Sequence, residues 1–258
     1  MKLLIDAGNT LIKWAVYSGG DRLHGGVLPV DQAGELPELF AGRLSRPGAD
    51  FQGIQQIWVS NVAGEEVARH IRNIRVGQKA AQPVQLHFID AQEMQCGVHN
   101  GYSNAGQLGS DRWAALIAAW HMVRGKCLVV NCGTATTIDT LSGQGEFLGG
   151  LIVPGVELMQ RSLSAATDQL KSGVVKSGRG EYVPLPRNTA DALFSGAVQA
   201  TCGAIERQYA LLGDDTAPVV LSGGAAEVLQ KVIKLPMSVV DNLVLQGLLL
   251  IDREAGAR

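Results

Sequence analysis

Near the start of the chain, Leu3-Leu4-Ile5-Asp6-Ala7-Gly8-Asn9-Thr10 runs an apolar stretch into one acid and a Gly-containing polar turn. An aspartate at the end of a buried strand, followed at once by Gly and small polar residues, gathers a carboxylate and several backbone N–H groups at one point. Such a point can hold a magnesium ion together with phosphate oxygens. Lys13, on the returning strand, adds a positive charge suited to a phosphate. The same residue types also favour a plain Asx-type turn closing a hairpin, and this segment alone does not separate the two readings.

The pattern recurs. In Leu128-Val129-Val130-Asn131-Cys132-Gly133-Thr134-Ala135, Asn131 stands 125 residues after Asp6, and Gly133-Thr134-Ala135-Thr136-Thr137 supplies a Gly bend with three hydroxyls. A repeat at this spacing predicts a duplicated fold in which each half opens with a hairpin and a Gly-rich bend. Two loops of this kind can close on one nucleotide. Neither is a Walker A loop, and no G-x-G-x-x-G fingerprint is present.

Two further segments carry candidate chemistry. Pro218-Val219-Val220-Leu221-Ser222-Gly223-Gly224 runs a buried strand into two glycines ahead of a helix, which would let a flat ring or a ribose lie against backbone; strand-turn-helix packing explains it equally well. Gly109-Ser110-Asp111-Arg112 opens an apolar helix. Asp111 in a first helical turn is favoured electrostatically as a cap, and the same location keeps the carboxylate ionised and able to take a proton from an attacking hydroxyl. Arg112 beside it suits a carboxylate or a phosphate oxygen.

The elements that must position these residues alternate along the chain. Strands are expected at 11–17, 57–60, 84–89, 136–141, 147–153 and 219–221, and helices at 65–76, 110–124, 156–170, 190–212, 225–232 and 242–252. Residues 171–180 and the Pro184/Pro186 pair read as surface loops. Mixed strands and helices in both halves point to two α/β domains across a cleft.

Composition limits the function classes. With 22 Lys and Arg against 24 Asp and Glu, the net charge is −2, so no basic nucleic-acid surface is expected. Hydrophobic residues at 46% and charged residues at 18% describe a globular chain with ample core. The start reaches Asp6 too soon for a secretory apolar run, and no stretch is long enough to span a bilayer, so a soluble, cytoplasmic protein is expected. The four cysteines, Cys96, Cys127, Cys132 and Cys202, form no metal-spaced set and are read as free thiols.

Taken together, the D-x-G-N-T start, the G-x-D-R ahead of a helix, the G-T-A-x-T hairpin and the later S-G-G resemble the type III pantothenate kinases. These belong to the acetate and sugar kinase, heat-shock cognate and actin superfamily, and the resemblance spans nearly the whole length. It implies an α/β fold of two duplicated ribonuclease H-like (actin-like ATPase) domains facing a central nucleotide cleft. Residues 1–112 would carry the first phosphate loop and the pantothenate site, and 113–258 the second phosphate loop and the adenosine motif, with the last helix packing back on the first domain.

The resemblance further implies ATP-dependent phosphorylation of pantothenate on its 4′-hydroxyl, the first step toward coenzyme A, by a homodimer. Asp6, Ala7, Gly8, Asn9, Thr10, Leu11, Ile12 and Lys13 would form the first phosphate loop, with Asp6 near magnesium. Thr134, Gly223 and Gly224 would contact the nucleotide, and Asp111 would be the general base. Tyr102, Gly109, Ser110, Asp111 and Arg112 would line the pantothenate pocket, with Thr189 completing the partner subunit's. The family usually has Asp where this chain has Asn131, at a position serving a monovalent cation (potassium or ammonium), so that requirement is expected to be weaker or met by other oxygens. A non-catalytic accessory regulator with the same fold, and a sugar or carboxylic-acid kinase, are the competing readings. The four tryptophans read as core or interface anchors, His87 as a hydrogen-bonded structural histidine, Asp139 as a hairpin-turn residue or a neighbour of magnesium, and 243–251 as a core or dimer-seam helix.

Overall fold

In a computed structural model, residues 1–42, 51, 53–76, 84–166 and 180–257 are described. Residues 171–179 of the loop expected at 171–180 and the last residues of the helix expected at 156–170 lie outside them. The chain divides into two compact units, one of residues 1–118 with 243–258, the other of residues 119–242.

The first unit is built on a five-stranded sheet in the order β3-β2-β1-β4-β5. Its strands are β1 (Lys2–Ala7), β2 (Leu11–Ser18), β3 (Asp21–Pro29), β4 (Gln56–Asn61) and β5 (Gln85–Phe88). β1, β2 and β3 are antiparallel neighbours, whereas β4 runs parallel to β1 and β5 parallel to β4. Alternation assigns the faces. Leu3, Ile5, Ala7, Ile12, Trp14, Val16, Ile57 and Val59 are buried in one core with Leu36, Leu39 and Phe40 around α1 (Leu36–Phe40) and Val67 and Ile71 of α2 (Glu65–Arg72).

Asp6, Lys13 and Ser60 occupy the other face, which must meet a different layer. The helix α7 (Leu243–Gly256) packs against β1 and β4, and its Asp252, 2% exposed, is ion-paired with Lys2. Leu243, Val244, Leu245, Leu248 and Ile251 are all buried, so this segment packs in the core of the first unit. The middle of α3 (Ser110–Val123), Trp113 to Ala119, is apolar on every side, as an enclosed helical segment must be, and is at most 2% exposed. Where α3 and α7 meet, a Cβ on Gly247 would stand 1.9 Å from the Ala114 carbonyl oxygen, so only Gly permits this approach. A hairpin of β6 (Met94–Gln95) and β7 (Val98–Asn100) precedes α3.

The second unit repeats the plan. β8 (Cys127–Cys132), β9 (Ala135–Leu141) and β10 (Glu146–Pro154) are successive antiparallel neighbours; β11 (Val219–Ser222) runs parallel to β8, and β12 (Met237–Val239) parallel to β11. Strand for strand, β8 to β12 take the places of β1 to β5, so the repeat read from the sequence is a duplicated topology. α4 (Val156–Ala166), α5 (Thr189–Ala210) and α6 (Ala226–Val232) complete the unit, with Val198, Cys202, Ile205 and Leu229 in its core.

Periodicity located the long elements and missed the weak ones. The helix expected to reach residue 76 ends at Arg72, where Asn73 caps it, while Ile74 and Val76 are buried without being helical. β3 was not expected: an edge strand carrying Gly25-Gly26 and several exposed positions shows no clean alternation.

Candidate active site

β1 ends at the first bend. Asp6 pairs across the sheet with Lys13 on one side and with Ser60 on the other, so all three side chains rise from the same face. The bend between them is closed by Gly8 N–H donating to the Leu11 carbonyl at 3.0 Å. Burial, and then the neighbouring Asp111 carboxylate, push the Asp6 carboxyl up to about 7, with Lys13 pulling in the opposite direction. Two carboxyls that repel each other beside one ammonium form a place where a cation is welcome.

Asp111 comes from the first turn of α3. Its Oδ1 accepts the Arg112 backbone N–H at 2.8 Å, and a Cβ on Gly109 would approach that same oxygen to 2.6 Å. Gly109 is therefore what leaves the carboxylate room to point as it does. Ser110 Oγ lies 2.9 Å from Ser60 Oγ, both buried, which ties the start of α3 to the strand beside Asp6. Arg112, only 5% exposed, donates from Nη1 to the Tyr102 hydroxyl at 3.0 Å, with its guanidinium carbon 5.6 Å from that ring's centroid. Asp6, Lys13, Tyr102, Gly109, Ser110, Asp111 and Arg112 thus belong to one unit and, pair by pair, to one neighbourhood. Ser60 is the residue that sequence reasoning passed over. The signal was present, since Val59-Ser60 comes one residue before the end of β4 and Leu221-Ser222 ends β11, and Ser222 pairs with Asn131 as Ser60 pairs with Asp6.

In the second unit Asn131 occupies the strand position equivalent to Asp6. Its bend is one residue shorter, Gly133 N–H donating to the Ala135 carbonyl at 3.0 Å. Two glycines brace it. A Cβ on Gly155 would fall 2.2 Å from the Gly133 carbonyl oxygen and 2.7 Å from that of Thr134, and one on Gly223, whose φ is +101°, would fall 2.4 Å from the Cys132 carbonyl oxygen. Gly224 by contrast has open space where a side chain would be. Gly155 is a second residue missed from sequence, because its reason is a tertiary approach. Thr189 is the exposed first residue of α5, behind an Asn188 cap that accepts the Asp191 N–H at 2.9 Å.

Asp139 lies mid-strand in β9, opposite Val129 and Gly150, and is 1% exposed, so the hairpin-turn reading fails. His87 stacks on Trp58 at 4.3 Å with 20° between the planes; its Nε2 and the Trp58 Nε1 are buried and find no hydrogen-bond partner among the described residues, contrary to the expectation of a hydrogen-bonded histidine. All four tryptophans are buried. The four cysteines are buried, and burial pushes the thiols of Cys127 and Cys132 up to about 12 and that of Cys202 up to about 11, which makes these three poor nucleophiles. Among the described residues there is no cluster of three or more His, Cys, Asp or Glu able to hold a metal by themselves, and no helix long and apolar enough to cross a membrane.

A duplicated β-β-β-parallel-parallel core with a polar bend at the end of each first strand defines an actin-like ATPase or sugar-kinase fold. In agreement, a solved structure named as a 2-dehydro-3-deoxygalactonokinase from Sinorhizobium meliloti shares the fold at a TM-score of 0.61 with 14% identity, covering 99% of each chain. The profile of the type III pantothenate kinase family matches residues 2–211. Relatives named type III pantothenate kinase include one from Nitrosospira multiformis, 46% identical over 98% of this chain and 91% of its own, and one from Aromatoleum aromaticum, 43% identical over the full length of both. The chain belongs to the type III pantothenate kinase family and is a kinase.

Proposed function

We propose that the chain transfers the γ-phosphoryl group of ATP to the 4′-hydroxyl of pantothenate, with Asp111 as general base. The observation that carries this reading is the Asp6, Lys13 and Asp111 group on one face of the first unit, where a raised Asp6 carboxyl stands beside the carboxylate that would take the proton. Phosphoryl transfer asks the protein mainly for positioning and charge compensation. Residues Asp6 to Lys13 bind phosphate oxygens through the bend's N–H groups and the Lys13 ammonium. Asp111 accepts the hydroxyl proton, and Arg112 and Tyr102 hold pantothenate with Gly109 and Ser110. Thr134 and the Gly223-Gly224 turn contact the nucleotide from the second unit.

Magnesium fits the donor set. Asp6 offers a hard oxygen whose proton a cation would displace, and magnesium usually takes one or two protein carboxylates, completing its shell with water and phosphates. Bound there, it would supply charge neutralisation on the phosphates. A monovalent cation, potassium or ammonium, meets a neutral amide oxygen at Asn131 in place of a carboxylate, so the dependence is weaker or rests on other oxygens.

The homodimer belongs to the same reading. The second unit exposes Leu148, Ile152, Leu163 and Leu185, and a groove of about 820 Å³ lined by Met159, Leu163, Arg187, Thr189, Leu193 and Gly196 runs between α4 and α5. A second copy would cover this apolar surface and receive Thr189 in its pantothenate pocket. The cytoplasm is the expected compartment. ADP release with purified protein, magnesium ATP and pantothenate tests the function. Release that depends on pantothenate supports it, and none from folded, dimeric protein transfers the weight to an accessory regulator.

A further inference from the structure

The loop at 101–104, between β7 and a 3-10 turn at Ala105–Gln107, has no strand or helix of its own, yet it carries Tyr102. Asn100, the last residue of β7, supplies what the backbone lacks there. Its Oδ1 accepts the Tyr102 N–H at 3.0 Å, its Nδ2 donates to the Ala105 carbonyl at 3.3 Å, and its own N–H donates to the Glu93 carbonyl at 2.9 Å. One side chain thus spans the loop from both ends. The hairpin beneath is independently anchored: Trp113 Nε1 donates to Gln95 Oε1 at 2.8 Å, and Glu254 Oε1 accepts the N–H of Cys96, held at φ +51°, at 2.9 Å. Rigidity below and a side-chain staple above hold the backbone that carries Tyr102, whose hydroxyl accepts from Arg112 Nη1 at 3.0 Å.

We propose that Asn100 is a positioning residue for pantothenate binding, acting through Tyr102 to present Arg112 in its binding orientation before substrate arrives. The inference rests on the reading above that Tyr102 and Arg112 line the pantothenate pocket. A preformed contact spares the substrate the ordering of a loop and of a long cationic side chain, so its loss appears in KM for pantothenate and leaves kcat alone.

The test is steady-state kinetics on Asn100→Ala, Asn100→Ser, Tyr102→Phe, Arg112→Ala and the Asn100→Ala/Tyr102→Phe double variant, with thermal unfolding of each. Asn100→Ala is expected to raise KM for pantothenate roughly 5- to 20-fold, the scale of one or two hydrogen bonds, with kcat and KM for ATP within about twofold. Asn100→Ser, whose hydroxyl can accept from the same N–H without adding charge, restores part of that loss, and the double variant costs less than the product of the single ones. A pantothenate KM within twofold of wild type in Asn100→Ala overturns the proposal. So does an equal rise in KM for ATP with a lower Tm, which is the mark of scaffolding. An unchanged pantothenate KM in Arg112→Ala overturns the pocket reading itself, and the role of Asn100 with it.

Discussion

Asp6 and Lys13 are direct cross-strand partners in the β1–β2 hairpin, an acid and a base on one face at the mouth of the same bend. The pairing does not keep Asp6 in the ordinary carboxylate range, because burial and the Asp111 charge outweigh the lysine. Electrostatics of this kind is stored in the unliganded protein and released by a cation or a phosphate.

A pH dependence follows. Asp6 titrates near 7 in the folded chain and near the usual ~3.9 when unfolded, so between those values the folded state holds more protons and stability falls as pH rises. Asp6→Asn abolishes this loss: its Tm should exceed that of wild type at pH 8, with the gap closing toward pH 5. Magnesium ATP should bind wild type less tightly as pH drops below 7, since a protonated Asp6 cannot serve a cation. Thermal unfolding and ATP titration across pH 5–8 read both effects.

Asp111→Asn preserves size and the acceptor toward the Arg112 N–H, so the variant should unfold within a few degrees of wild type. Turnover should drop by roughly 10² to 10⁴, the usual worth of a general base. Turnover within tenfold of wild type would remove Asp111 from that role.

Asn131→Asp places a charge where the fold already supplies the matching strand position. Activity ratios in potassium and sodium should be nearer unity for wild type than for the variant. Equal ratios would mean that other oxygens carry the ion.

Gly155→Ala forces a methyl group against the Gly133 and Thr134 carbonyls. Neither backbone atom can swing away as a side chain would, so a loss of about 1–3 kcal/mol and a higher KM for ATP are expected. Denaturant titration and ATP kinetics check the two halves separately.

His87→Phe retains a ring against Trp58 and deletes a buried nitrogen that has no partner among the described residues. Stability should hold or rise, against the usual cost of a core substitution. A Tm lower by more than about 4 °C would show that the imidazole nitrogen is satisfied in solution.

Much of this protein is written locally. The three-apolar-then-polar run before each Gly bend, the continuous apolar stretches of β1 and β8 and the apolar middle of α3 are properties of neighbouring residues, and backbone sterics and burial turn them directly into elements. The duplicated topology followed because the same local pattern appears twice. Asp6, Asp111 and Arg112 could be singled out as candidates because charged residues ending a strand or opening a helix can serve a ligand, although a turn or a cap uses the same residue types.

What only the tertiary structure decided involves residues far apart in sequence. That Ser60 stands beside Asp6 and reaches Ser110, that Gly155 and Gly223 brace the second bend, and that His87 lies flat on Trp58 depend on strand order and register, which no single segment encodes. The acidity of Asp6 is of the same kind: its carboxyl is shifted by the burial that packing imposes and by a charge brought from α3, so its chemistry exists only once the sheet and that helix have met.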